Sequence, residues 1–151
     1  CGGLMYLARS IEWKGGNAAM VGAIPGDIRM HDKPVGRGYV ILEPNVSHPW
    51  RSIEGSNHNA AGKAVAEKDV LHAHEFHYSS LHGMPDDTRY AYAVRRGYGV
   101  DGHHDGVLIH NLLASYTHLR ATSACDWPAK FVRHVRDCLS AKQKETVPCS
   151  P

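Results

Sequence analysis

Apolar positions Leu4, Met5, Leu7, Ala8 and Ile11 recur at helical spacing, and the run stops at Gly15-Gly16. This predicts a helix over Gly2 to Glu12 with Cys1 at its N-terminus. Two short apolar runs follow, Ala19 to Ile24 and Gly38 to Leu42, stopped by Pro25-Gly26 and Pro44-Asn45. Both read as strands, with Asp27 to His31 as a polar connection between them. Residues 44–70 mix Asn, Gly, Ser, His and Pro and read as a long surface loop. Beyond it, the segments His74 to Ser79, Tyr90 to Val94, Gly106 to His110 and Leu112 to Tyr116 are short and rich in aromatic or β-branched residues. They predict strands separated by turns at 83–87, 97–106 and Asn111. Trp127-Pro128 then opens a helix with Phe131, Val132, Val135 and Leu139 on one side and Lys130, Arg133 and Arg136 on the other.

Composition narrows what this pattern can serve. A chain of 151 residues with 42% hydrophobic content supplies one core, and a net charge of +2 with acids scattered among bases points to no nucleic-acid partner. No apolar run approaches the roughly 20 residues of a spanning helix, so no membrane partner is expected. Cys1, Cys125, Cys138 and Cys149 fit no CxxC metal spacing, and no secretory signal is seen. The expectation is reduced thiols in a cytoplasmic protein. The missing initiator Met suggests a processed N-terminus or a fragment.

Twelve histidines raise the question of a metal. On a strand, His72 and His74 share a face and His77 points the other way, and His74-Glu75-Phe76-His77 is one residue short of the HExxH spacing. No metal site is expected. Gly97, Gly99 and Gly102 lack the strand-to-helix transition of a dinucleotide loop. Arg29, Arg37, Arg95 and Arg96 read as solvated charges, with anionic carboxylates or a partner domain as the alternative.

The chemistry is carried by two distant stretches, Cys1-Gly2-Gly3-Leu4-Met5-Tyr6-Leu7 and Ala114-Ser115-Tyr116-Thr117-His118-Leu119. A nucleophilic cysteine needs a basic partner to be a thiolate near neutral pH, and a helix N-terminus favours the anion. Glycines beside the thiol let backbone N–H groups approach a carbonyl, which a tetrahedral oxyanion requires. Cys1 as nucleophile and His118 as base describe acyl transfer.

These stretches, with Gly26 to Tyr39, His74 to Ser79, Asp105 to Leu119 and the Trp127 to Val135 helix, resemble in order the glutamine amidotransferase domain of cobyrinate a,c-diamide synthase and its relatives. The resemblance covers most of the chain. It implies an α/β, class I glutamine amidotransferase-like (flavodoxin-like) sheet flanked by helices, truncated on its N-terminal side. Residues 1–142 are expected to form the glutaminase domain fragment and 143–151 a disordered tail. It implies that Cys1 attacks the side-chain amide of glutamine with His118 as base, and that Gly2, His77, Tyr78 and Ser79 bind substrate, the last three by laying backbone along the glutamine. This domain is expected to hold no cofactor. The resemblance further implies that ATP and Mg belong to an N-terminal synthetase domain of the same parent chain, expected to precede Cys1 and to activate a tetrapyrrole carboxylate for the released ammonia. Self-association as a homodimer is left open. His48-Pro49-Trp50 and Arg95 to Gly102 equally resemble relatives that amidate sirohaem.

One position departs from the general class I pattern: two residues after the histidine, where many relatives carry Glu, stands Arg120. What fixes the imidazole is therefore open. Two other readings compete. Cys1 could act as an N-terminal nucleophile with its own amine as base, although the following helix argues against a class that begins on a strand. The chain could also be an inactive interaction remnant lacking part of its oxyanion hole.

Overall fold

The computed structural model describes residues 1–49, 70–122 and 125–145. In chain order the elements are α1 (Gly2–Leu7), β1 (Ala8–Trp13), β2 (Gly16–Ala19), β3 (Ile24–Met30), β4 (Gly36–Pro44), β5 (Leu71–His77), β6 (Ser79–His82), β7 (Arg89–Arg96), β8 (His104–Ile109), β9 (Leu112–Ala114) and α2 (Trp127–Glu145). The fold is mixed α/β. This is consistent with the class I glutamine amidotransferase-like fold that the resemblance implies, its strands dividing into a four-stranded sheet, β2-β1-β3-β6, and a five-stranded sheet, β5-β4-β7-β8-β9. Among the described residues only β1 and β3 pair in parallel.

The first helix is shorter than expected. It ends at Leu7, and Ala8 turns to extended backbone while its N–H still bonds the Leu4 and Met5 carbonyls. Ala8 and Ile11, which looked like the next helical turn, belong to β1, and pairing with β2 and β3 on both sides overrides the local period. Lys14 and Gly15, both at positive φ (49° and 77°), make the two-residue hairpin turn to β2. Gly15 thus reverses a hairpin and caps no helix.

The strand expected at 19–24 is also corrected, because β2 ends at Ala19 and β3 begins at Ile24. Most of the supposed polar connection, Asp27 to His31, is β3. Its alternation is plain once Pro25-Gly26 is not taken as a stop: Ile24, Gly26 and Ile28 are buried, and Pro25 and Arg29 are exposed. Pro25 is tolerated because β3 has three steps, Ile24 to Asp27, against two in β1, Ala8 to Ser10. The extra residue is a bulge, where a missing N–H breaks no ladder. Gly26 is required by close approach, since a Cβ there would stand 2.6 Å from Met84 Sδ and 2.7 Å from Leu81 Cδ1.

The strands expected around Val40, Tyr92, Leu108 and Leu113 are present as β4, β7, β8 and β9, although β9 stops at Ala114. The expected His74 to Ser79 strand divides at Tyr78, where the chain passes from β5 in the larger sheet to β6 in the smaller. The main core joins both sheets: Leu4 of α1 and Ala8, Ile24, Ile28 and Leu81 cluster with Val100, Val107, Ala114 and Tyr116. A second cluster, Val40, Leu42, Ala91 and Tyr92, lies within the larger sheet.

α2 begins where the sequence placed it. Asp126 Oδ1 accepts the Ala129 N–H, and Pro128 lies in the first turn, where no intrahelical donor is lost. Its apolar side, Phe131, Val132, Val135 and Leu139, remains 39–57% exposed. A cavity of about 480 Å³ separates that side from Leu108, Leu112 and Leu113, and its lining includes neither Cys1 nor His118. The helix runs to Glu145; residues 146–151, Cys149 and Trp50 lie outside the described residues, as does most of the expected 44–70 loop. No helix among the described residues is long and apolar enough to cross a membrane.

Candidate active site

Cys1 occupies the N-cap position of α1, its carbonyl accepting the Met5 N–H at 3.1 Å. Its nitrogen donates to the Ser115 carbonyl at 2.5 Å, and its thiol points at the Phe76 carbonyl, 3.8 Å away. Cys1 is thereby held between the segment after β9 and the end of β5, an edge strand. His118 is held by the same two segments. Its N–H donates to His74 O at 2.7 Å and its carbonyl accepts the His74 N–H at 3.2 Å, an isolated antiparallel bridge. Phe76 and His74 are two residues apart, about 7 Å along a strand. Thiol and imidazole therefore belong to residues fastened to neighbouring points on one strand edge.

The His118 pKa lies below the ordinary histidine value. Partial burial lowers it most, with His74 and His77 adding to the effect, while Asp105 pulls the other way. A lowered pKa leaves the imidazole neutral near pH 7, with a lone pair free to take a thiol proton.

Beneath this edge lies a buried polar layer. His77 stacks on Tyr116 with centroids 4.0 Å apart and planes at 14°. Its Nδ1 lies 2.8 Å from the Ser79 carbonyl, which can only accept, so Nδ1 carries a proton. Nε2 stands 3.5 Å from Glu75 Oε2 with no closer partner. Glu75 accepts the N–H groups of Tyr98 at 2.7 Å and Gly99 at 2.8 Å. Burial pushes its pKa up, but His77 and the Gly99 and Tyr98 amides outweigh it, and the net shift is downward. The glycines of the 97–102 loop serve this turn: Gly99 has φ +62°, and a Cβ on it would stand 2.5 Å from His104 O. The Tyr116 hydroxyl is 2.9 Å from Ser79 Oγ, and its pKa is pushed up to about 12, chiefly by burial. Asp105 is fully buried and accepts the N–H groups of Gly106, Tyr116 and Thr117 at 2.8, 3.1 and 2.9 Å.

The structure brings Cys1 and His118 to one place. Gly2 lies in the first turn of α1, and a Cβ on Gly2 or Gly3 would meet nothing within 4 Å, which leaves room beside the thiol. The His77 and Ser79 side chains are buried, and Tyr78 is 37% exposed. Here the Tyr78 ring faces outward and the His77 and Ser79 side chains pack inward, while the His77 and Tyr78 carbonyls accept the Val35 and His31 N–H groups. Strand parity holds as read: His72 and His74 are exposed on β5 and His77 is buried. Among the described residues no three His, Cys, Asp or Glu side chains gather as metal ligands. Cys1, Cys125 and Cys138 are free thiols. Two of the arginines held open for anionic partners are engaged in the protein, Arg29 with Glu12 and Arg95 with Glu43. Sequence reasoning gave Glu75, Asp105 and Tyr116 no role. For Glu75 a signal was available, because it shares the inward parity of Ala73 and His77.

A mixed α/β fold carrying a Cys/His pair on one strand edge is the setting of an acyl-transfer enzyme, and comparison with known proteins makes the class specific. Residues 1–124 match the CobB/CobQ-like glutamine amidotransferase domain. The chain belongs to that amidotransferase family. It is 37% identical over 143 residues to the cobyrinate a,c-diamide synthase of Magnetococcus marinus, covering 95% of this chain and 28% of that protein. The synthase of the same name from Halobacterium salinarum is 38% identical over 124 residues, covering 82% of this chain and 25% of that protein. That from Archaeoglobus fulgidus is 35% identical over 138 residues, covering 88% and 26%. The chain thus spans about a quarter of the length of these curated relatives.

Proposed function

We propose that this chain is the glutamine-hydrolysing domain of an ATP-dependent, cytoplasmic amidotransferase that amidates tetrapyrrole carboxylates in cobyrinate a,c-diamide synthesis. The observation that carries the reading is the fastening of Cys1 and His118 to Phe76 and His74 of the same strand. The shared name of the relatives favours cobyrinate over sirohaem as acceptor. ATP and Mg are assigned to the synthetase part of the relatives' greater length.

His118 takes the Cys1 thiol proton, and the thiolate attacks Cδ of the glutamine side chain, giving a tetrahedral oxyanion beside the open space at Gly2 and Gly3. The C–N bond breaks as the imidazolium returns its proton to the departing nitrogen, releasing ammonia and leaving a γ-glutamyl thioester. Water, deprotonated by His118, hydrolyses the thioester to glutamate and restores the thiol. Gly2 and the main chain of His77 to Ser79 are the proposed substrate contacts, with the Tyr78 ring at the rim. In the intact gene product, Cys1→Ala is expected to abolish glutamine-dependent amidation while amidation with added ammonium persists. Glutamine-dependent turnover surviving in C1A would sink the reading.

A further inference from the structure

Arg120 leaves His118 without the carboxylate that would orient it from two positions downstream, so the imidazole must be fixed by other means. β9 ends at Ala114, and from Ser115 onward the chain lacks a continuous ladder to hold it. The segment is held at separate points instead. The Ser115 carbonyl takes the Cys1 nitrogen, the Tyr116 and Thr117 amides go to Asp105, and His118 pairs with His74. Asp105 is 0% exposed, and burying a carboxylate this completely requires strong donors on its oxygens. Two of its three are the consecutive amides immediately before the base.

We propose that Asp105 is the positioning residue for His118: by gripping the main chain of Tyr116 and Thr117 it sets where the next residue's imidazole stands relative to Cys1. A carboxylate acting on the backbone of the base's own segment replaces one acting on the ring. The inference rests on the reading of His118 as general base. Asp105→Asn retains an oxygen for the Gly106 and Tyr116 amides but turns an NH₂ toward the Thr117 N–H, so it disturbs the grip with almost no change in volume.

The test is a double-mutant cycle in the intact gene product, read by saturation kinetics of Cys1 alkylation with a glutamine-derived chloroketone. D105N is expected to lower the limiting alkylation rate by about tenfold or more, toward the roughly 10²-fold that a 1 Å misplacement can cost, and to leave the half-saturating reagent concentration within about twofold. In a His118→Ala background the same substitution is expected to change the rate less than about twofold, because the group it positions is gone. Equal losses in both backgrounds would show that Asp105 only maintains the fold, and no loss in the presence of His118 would remove it from the site; either overturns the proposal. An H118A single variant alkylated at the unmodified rate would instead overturn the assignment of the base, a distinct outcome.

Discussion

Glu75 and Asp105 are both buried carboxylates fed by backbone amides, yet they hold different parts of the molecule. Glu75 closes the 97–102 turn through Tyr98 and Gly99 and faces the unpartnered Nε2 of His77. Asp105 closes no loop of that kind beyond its neighbour Gly106, and spends its other contacts on the two residues before His118. The same physical device, an anion neutralised by N–H dipoles, stabilises a turn in one place and in the other aims a side chain. Burial alone therefore does not separate structural from functional acids here. What separates them is which segment the amides belong to.

The comparison can be broken from the Glu75 side first. Glu75→Ala leaves the Tyr98 and Gly99 amides without an acceptor in a buried site, and should lower unfolding free energy by about 3 kcal/mol in denaturant titration. The folded fraction should still alkylate Cys1 at close to the unmodified rate. A specific loss of alkylation with unchanged stability would place Glu75 with Asp105 instead. The pH profile sharpens the contrast. The lowered His118 pKa puts the acid limb of glutamine hydrolysis below about pH 6.5, activity falling as the imidazole gains a proton. Because Asp105 raises that pKa, D105N should move the limb to still lower pH, whereas Glu75→Gln should leave it in place. The smallest effect belongs to an acid outside either site: Glu12, half exposed and paired with Arg29, should change stability by less than about 1 kcal/mol when replaced by Gln. A larger loss would show that exposed carboxylates on the smaller sheet carry structure as well.

Much of the candidate site was legible in one dimension because its proposed chemistry rests on residue types at recognisable spacings. Cys1 with its glycines, His118 in its Ser-Tyr-Thr-His stretch and the opposite parity of His74 and His77 needed no coordinates. Element boundaries failed where tertiary pairing overrode local pattern. Ala8 and Ile11 satisfied a helical period but were claimed by β1, and Pro25-Gly26 looked like a stop because a bulge and a close approach to Leu81 are invisible in sequence. The split at Tyr78 depends on which sheet each half joins, a property of topology that alternation does not carry. Asp105 lies in a recognisable stretch, yet its hold on the His118 segment comes from contacts 11 and 12 residues away, which the stretch alone does not reveal.

The bond between the Cys1 nitrogen and the Ser115 carbonyl joins residues 114 apart in sequence. Closing a ring of that size delays the encounter of thiol and imidazole until the segments between have found their places, since loop-closure entropy is met before distant contacts repay it. A chain synthesised only as far as β9 carries Cys1 without its proposed partner His118. On the proposed function, a copy in which these two segments have not yet docked on β5 lacks the base that would activate Cys1.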